Sequence, residues 1–154
     1  NSIVTEAVDE VFPRRSKIEL KYELGESLPE AELDVKKFRR ALTEIVENSL
    51  SFFETGQLRV ATRLATTEEV QLAQLNRDTE FLLIEIEDQG PGVASDQKKI
   101  IFQPFFSSRV KGMGLGLSIV KGILEAHGGA VIESGTHGKG AKFMMLVPTS
   151  QRPE

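Results

Sequence analysis

Gly112-Met-Gly-Leu-Gly-Leu-Ser-Ile-Val-Lys-Gly-Ile-Leu-Glu-Ala-His-Gly-Gly129 is the stretch from which the rest of the chain is best read. Three alternating glycines, Gly112, Gly114 and Gly116, run straight into an amphipathic helix. Glycine has no Cβ, so such a loop brings bare backbone N–H groups up to a ligand. The helix that follows offers four unpaired N–H groups and the positive end of its dipole. Together these make a site for phosphate. Upstream, a second glycine pair, Asp88-Gln-Gly-Pro-Gly92, closes the apolar run Phe81-Leu-Leu-Ile-Glu-Ile-Glu87. The two glycine segments together read as a nucleotide site.

Composition narrows the class. At 154 residues the chain is long enough for one domain with a real core. Hydrophobic residues make up 40% and charged residues 27%, an ordinary globular balance. A net charge of -4 gives no signature of nucleic-acid binding. There is no cysteine, which excludes a disulfide scaffold, thiolate metal sites and a Cys nucleophile. No signal-like or membrane-length apolar segment is present, so no membrane contact by this domain is expected. A first residue of Asn1 rather than Met suggests a fragment of a larger protein. The two histidines, His127 and His137, lie apart from any Ser–Asp pattern.

Periodicity predicts alternating helices and strands. Ile3 to Phe12 has helical spacing and ends at Pro13. Lys17 to Leu24 alternates apolar and charged residues as a half-buried strand does, and 25–32 reads as a loop. Asp34 caps a long helix reaching about Phe53, with Phe38, Leu42, Ile45, Val46, Ser49 and Phe53 on its core face. Gln57 to Ala65 and Glu80 to Glu87 read as an antiparallel hairpin pair. The polar connection Thr66 to Thr79 is expected to be an extended or mobile loop. Ala130 to Glu133 and Lys142 to Val147 close the sheet around the turn Ser134 to Gly140, and Pro148 to Glu154 reads as a frayed tail. The expected fold class is α/β: a two-layer sandwich of a mixed sheet of about five strands under three main helices. Periodicity leaves the strand order open.

Three further segments carry chemistry. On the long helix Glu44 and Asn48 are four residues apart and share a face. A carboxylate and a carboxamide there suit Mg²⁺, which takes one or two protein ligands and completes its shell with phosphate and water. Taken alone, the pair reads equally as a solvated polar face. Asp88 sits at the end of a strand, where a carboxylate accepts hydrogen bonds, for instance from an adenine amino group. Taken alone, Asp88-Gln-Gly-Pro-Gly92 is also ordinary turn chemistry. Ile100-Ile-Phe-Gln-Pro-Phe-Phe-Ser-Ser-Arg109 reads as a flap tethered by Phe102, Phe105 and Phe106, or as a surface loop whose phenylalanines join the core.

Known phosphate loops are a poor match. There is no Gly-x-x-x-x-Gly-Lys-Ser/Thr run, and the third glycine, Gly116, comes too early for Gly-x-Gly-x-x-Gly. The set instead resembles the ATP-binding catalytic domain of sensor histidine kinases, in the GHKL superfamily with gyrase, MutL and heat-shock chaperone ATPases. Glu44-Ile-Val-Glu-Asn48 resembles the N box, Asp88-Gln-Gly-Pro-Gly92 the first glycine box and Ile101-Phe-Gln-Pro-Phe-Phe106 the F box. Gly112 to Val120 resembles the second glycine box, and Gly138 to Phe143 the closing glycine segment. The boxes are in register over nearly the whole chain.

The resemblance implies a GHKL sandwich with a flexible ATP lid, spanning 1–154 as one domain. It implies ATP and Mg²⁺ as cofactors, with Asn48 as metal ligand and Glu44 and Asn48 as the catalytic pair. Asp88 would take the adenine amino group, Gly90 and Gly92 would let backbone pass close to the base, and Phe52 would sit beside it. Phe102, Phe106, Arg109, Lys111, Gly112, Met113, Gly114, Leu115, Gly116 and Leu117 would complete the nucleotide site through the flap, lid and helix start. Three departures stand out. Glu44 occupies a position where the family often has Asn, Ser51 one where it often has a basic residue, and the segment from Phe106 to Gly112 is short. A short lid orders at low entropic cost, and Arg109 or Lys111 would replace the charge missing at Ser51.

The implied activity is transfer of the ATP γ-phosphate to a histidine on a separate dimerisation domain, for relay to a response-regulator aspartate. ATP and ADP, that domain and a receiver domain would be its partners. The fragment would be a monomer, the full protein a dimer, and the site cytoplasmic, with or without a membrane sensor attached. His127, near a helix C-terminus and followed by Gly128-Gly129, reads as a structural cap rather than an acceptor. Other readings stay open: an anti-sigma-factor-type Ser kinase, a GHKL ATPase, or a degenerate nucleotide-binding module used for contacts.

Overall fold

A computed structural model of the chain describes residues 1–11, 17–29, 31–50, 55–76, 78–89, 100–102, 116–135 and 140–149. The elements are α1 (Ser2–Val11), β1 (Lys17–Leu24), α2 (Val35–Leu50), β2 (Thr55–Leu64), α3 (Thr67–Leu72), β3 (Phe81–Glu87), α4 (Gly116–Ala126), β4 (Ala130–Glu133) and β5 (Lys142–Pro148). A single 3₁₀ turn covers Ile100–Phe102. The strands form one sheet in the order β1-β2-β3-β5-β4. β1 and β2 are parallel, a pairing that needs a crossover, which α2 supplies. The other pairs are antiparallel, including the expected β2–β3 pair, with Val60 opposite Ile86 and Thr62 opposite Ile84.

Strand side chains alternate between faces. One face carries Leu58, Val60, Ile84, Ile86, Phe143, Met145 and Val147, which pack under α1, α2 and α4. The helices answer with Val4, Ala7 and Val8, then Phe38, Leu42, Ile45 and Val46, then Val120 and Leu124, at helical spacing. This is the expected layer of three helices over a five-stranded mixed sheet. Tyr22 on β1 donates its hydroxyl to Asp9 of α1 at 2.8 Å, tying the edge strand to the first helix.

The segment 66–79 differs from the loop expected of it. It holds a fourth, short helix, α3, on the opposite face of the sheet. Thr66 caps it: the Glu69 N–H donates to the Thr66 hydroxyl at 3.2 Å, and the Glu69 carboxylate accepts from the Thr66 N–H at 2.9 Å. This reciprocal capping box is written in Thr66-Thr-Glu-Glu69. Val70 then buries against Phe81, Leu83, Met144 and Leu146. The other end also differs from expectation. β5 runs through Pro148, and Thr149 is tied to Glu80 by its N–H at 3.0 Å and its hydroxyl at 3.1 Å, so fraying does not begin at 148. The described part of α2 ends at Leu50, and 51–54 lie outside the described residues.

Beyond α3 the outer face is covered by charge. The Glu85 carboxylate, 4% exposed, lies 3.2 Å from Arg59 and 3.0 Å from Lys142, with Arg63 at 3.9 Å. Arg59 also reaches Glu23 at 2.9 Å and Glu87 at 3.1 Å. Long Arg stems lie over the strands while their heads stay paired. Without Glu85, Arg59 keeps Glu23 and Glu87 and Arg63 keeps Glu69, so the chief loss is the Lys142 contact, and Glu85→Ala should lower unfolding free energy by about 1 kcal/mol in urea titrations.

Arg63 grips Glu69 with two bonds of 2.6 Å. That hydrogen bonding, from Arg63 first, holds the Glu69 carboxyl down to about 2 from an ordinary 4.5. A lowered folded value stabilises fully above the unfolded one and is lost as pH falls through the folded one. The stability difference between the wild-type chain and Glu69→Gln should therefore be largest above pH 4.5 and shrink towards pH 2, read as unfolding midpoints across that range.

Candidate functional site

Chain direction decides which residues can meet. At the end of α4 the Gly129 N–H donates to the Leu124 carbonyl at 2.8 Å, and Gly128 takes φ 79°, the left-handed cap that glycine favours. The chain turns directly into β4, whose first residue, Ala130, lies opposite Leu146 near the end of β5. Pro148 of β5 is in turn opposite Phe81, the start of β3. β4 then runs to Glu133, opposite Phe143, which is opposite Ile86 near the end of β3. The C-terminus of α4 is thus at the start of β3, and its N-terminus, Gly116, at the end of β3, where Asp88 follows.

His127 sets the direction of α2. Its Nε2 accepts the Asp34 N–H at 2.9 Å, so Nδ1 is the ring atom that donates, to the Ile123 carbonyl at 2.7 Å. Its ring meets Phe38 edge-on at 5.8 Å. The C-terminus of α4 therefore abuts the N-terminus of α2, and the two helices are antiparallel. Asp34 is the expected cap, accepting from the Lys37 N–H at 3.1 Å. The C-terminal turns of α2, bearing Glu44 and Asn48, consequently lie at the same end of the sandwich as Gly116 and Asp88.

At that end Asp88 is 3% exposed and clamped to the start of β5. Its N–H donates to the Ala141 carbonyl at 2.9 Å, and its Oδ1 accepts the Ala141 N–H at 3.0 Å. Gly140 makes the approach possible: it has φ 132°, and a Cβ there would overlap the Asp88 carbonyl oxygen. The adjacent Gln89 accepts the Gln57 N–H at 2.7 Å, closing the end of β3 onto β2. Glu133, 5% exposed, accepts from Gly135 at 2.7 Å and Lys142 at 2.8 Å and shapes the β4–β5 turn. Gly140 and Ala141 stand in the closing glycine segment and Gln89 in the first glycine box, but the sequence assigns none of them a role in holding Asp88, and Glu133 carries no signal of its own.

Glu44 is held. Its carboxylate, 17% exposed, accepts from Arg40 Nε at 3.1 Å one turn earlier on α2. Asn48 is half-buried on the same face. Among the described residues no cluster of three or more His, Asp or Glu could cage a metal by itself. Leu117 is half-buried against the main core. Phe102 is 7% exposed and meets Phe143 edge-on at 6.2 Å, so the structure places it in the core. Phe52, Gly90, Gly92, Phe106, Arg109, Lys111, Gly112, Met113, Gly114 and Leu115 lie outside the described residues, as do Ser51, Phe105 and His137.

Residues 33–151 match the family described as histidine kinase-, DNA gyrase B- and HSP90-like ATPases. The chain belongs to this family. Within it, the chain is 32% identical over 151 residues to the alginate biosynthesis sensor protein KinB of Pseudomonas aeruginosa, covering 95% of this chain and 23% of KinB. It is 29% identical over 157 residues to the sensor histidine kinase ZraS of Salmonella typhimurium, covering 100% of this chain and 31% of ZraS. It therefore spans less than a third of the length of these curated relatives. Among solved structures it is similar to full-length ShkA in complex with AMPPNP, with TM-score 0.79, 27% identity and coverage of 99% of this chain and 30% of that one. It is also similar to the mycobacterial sensor histidine kinase MprB, with TM-score 0.75, 26% identity and coverage of 99% and 95%. The five-stranded sandwich is that of histidine kinase catalytic domains, and no described helix of this ATPase-family chain is long and apolar enough to cross a membrane.

The clamp at Asp88 depends on a backbone that only glycine tolerates. Gly140→Ala should cost about 2 kcal/mol or more of stability, seen as a lower melting temperature, because strain and overlap add.

Proposed function

We propose that residues 1–154 form the ATP-binding catalytic domain of a two-component sensor histidine kinase, working in the cytoplasm with its acceptor histidine on a separate dimerisation domain. The observation that carries this reading is convergence. The Glu44–Asn48 face, the clamped Asp88 and the N-terminus of α4 meet at one end of the sandwich. Adenine needs an acceptor for its amino group, and Asp88 presents a fixed carboxylate. Phosphates need N–H groups and positive potential, which the start of α4 offers. The α2 face lies beside both.

Asn48 and, through it or a bound water, Glu44 would hold Mg²⁺. A carboxamide and a carboxylate on adjacent turns suit an ion whose shell is completed by phosphate and water, and do not form a closed protein cage. When bound, Mg²⁺ neutralises charge on the phosphate oxygens. The protein's own part is placement. The Arg40–Glu44 pair holds that carboxylate in position, which favours orientation over proton abstraction. Gly112, Gly114, Arg109 and Lys111 would lie over the phosphates, and Phe52 beside the base. The acceptor imidazole nitrogen then bonds to the γ-phosphorus as its bond to the bridging oxygen breaks. ADP leaves with that electron pair, and the ring passes its N–H proton to water. A receiver-domain aspartate would take the phosphoryl group next.

The structural reading of His127 is supported by its ring contacts, since Nε2 accepts the Asp34 N–H at the α2–α4 junction and Nδ1 faces the Ile123 carbonyl of its own helix. Mixing the chain with a histidine-bearing dimerisation domain and ATP should yield an acid-labile, base-stable phosphate on that domain. Acid-stable phosphoserine on a partner would point instead to a Ser kinase of the same fold. The two site halves should also separate in binding. Asp88→Asn should weaken metal-free ADP by more than about 10-fold, whereas Asn48→Ala should leave metal-free ADP nearly unchanged and weaken the Mg²⁺-nucleotide complex. Calorimetry with and without Mg²⁺ reads both, and equal losses in metal-free ADP would refute the division of roles.

A further inference from the structure

Among the described residues two buried side-chain oxygens lack a hydrogen-bond partner, Ser49 Oγ and Ser134 Oγ. Ser134 lies in a half-buried turn after β4. Ser49 is 0% exposed, on the packed face of α2 in its last turn. A buried hydroxyl with nothing to bond is destabilising, because it has given up its bonds to water. Helical serines usually avoid that cost by donating to the carbonyl one turn earlier. Ser49 does not, and an alanine, such as Ala41 two turns earlier on α2, would pack there without any unpaired group.

Position says what the hydroxyl is for. Ser49 directly follows Asn48 and continues the stripe Leu42, Ile45, Val46 that packs on the sheet. It therefore lies on the sheet side of α2, at the end of the sandwich where Asp88 is clamped. Ala141, the residue that clamps Asp88, and Ile86, two residues before Asp88, belong to the same core cluster as that stripe.

Resting on the nucleotide reading above, we propose that Ser49 is a base-recognition residue: its Oγ, directly or through one water, donates to the ring nitrogen beside the amino group that Asp88 accepts. Adenine presents an amino donor and a ring acceptor side by side. A carboxylate can only accept and a hydroxyl can donate, so the pair matches that edge. In hypoxanthine and guanine the edge is reversed, with a carbonyl acceptor next to a ring N–H. Ser49 thus adds to the choice of adenine over those bases, and the unpaired hydroxyl is satisfied when the base arrives.

The test compares the wild-type chain with Ser49→Ala by thermal unfolding without nucleotide and by affinity for ADP and inosine diphosphate. Removing an unpaired hydroxyl should leave the melting temperature equal or higher. ADP affinity should fall about 5-fold while inosine diphosphate affinity stays level, so the preference for adenine drops by the same factor. Ser49→Cys, a weaker donor of similar shape, should fall between the two. A lower melting temperature with an unchanged ADP-to-inosine-diphosphate ratio would overturn the proposal and make the hydroxyl structural. Unchanged binding of ADP in Ser49→Ala would overturn it alone. A wild-type chain that binds no nucleotide would overturn it together with the reading on which it rests.

Discussion

The antiparallel contact between α2 and α4 is the constraint on which the candidate site depends. One imidazole locks it: His127 accepts from the first residue of the α2 cap and donates to its own helix, while Phe38 packs against its ring. One ring nitrogen faces a donor and the other an acceptor, so the two partners fix the orientation of the imidazole. Were the helices parallel, Asn48 would lie at the far end of α4 from Gly116, and no ligand of nucleotide size would touch both. The junction sits at the end opposite the site.

A second constraint acts at the sheet. β3 ends at Glu87, and the next residue pairs with both backbone groups of Ala141: the Asp88 N–H donates to the Ala141 carbonyl and Asp88 Oδ1 accepts the Ala141 N–H, while Gly140 lets the two backbones approach. The carboxylate is thereby oriented before any ligand arrives, and preorganisation of this kind lowers the cost of binding. The opposite face is handled differently. α3 covers one end with Val70, and the remainder is closed by the Arg59, Arg63, Lys142 and Glu85 network. Such a buried network adds little net stability over an apolar surface, but every member must keep its partners.

Much of this was legible in the residues. Alternation in Lys17–Leu24 and the 3.6-residue spacing from Phe38 to Val46 mark the main elements because each has one buried face. α3 was hidden because it is short and mostly polar, with a single buried apolar side chain, Val70. Its signature was the Thr66-to-Glu69 capping spacing rather than periodicity. The end of β5 was hidden because Pro148 reads as a breaker. At a strand end, beyond the reach of β4, it has no ladder bond to lose. Phe102 could be assigned to a ligand or to the core with equal reason from sequence, and its contact with Phe143 across the fold placed it in the core.

By itself the sequence determined the class of fold, the family boxes and the kinds of group available: an acceptor at Asp88, an oxygen pair at Glu44 and Asn48, and a glycine-rich helix start. These follow from local periodicity and from chemistry each residue carries wherever it sits. Tertiary structure alone decided the strand order, the antiparallel setting of α2 and α4, the clamp on Asp88 by Ala141 and the unpaired hydroxyl of Ser49. Each is a relation between residues far apart in the chain. Whether a buried polar atom finds a partner depends on what the rest of the fold brings to it, and no local pattern records that.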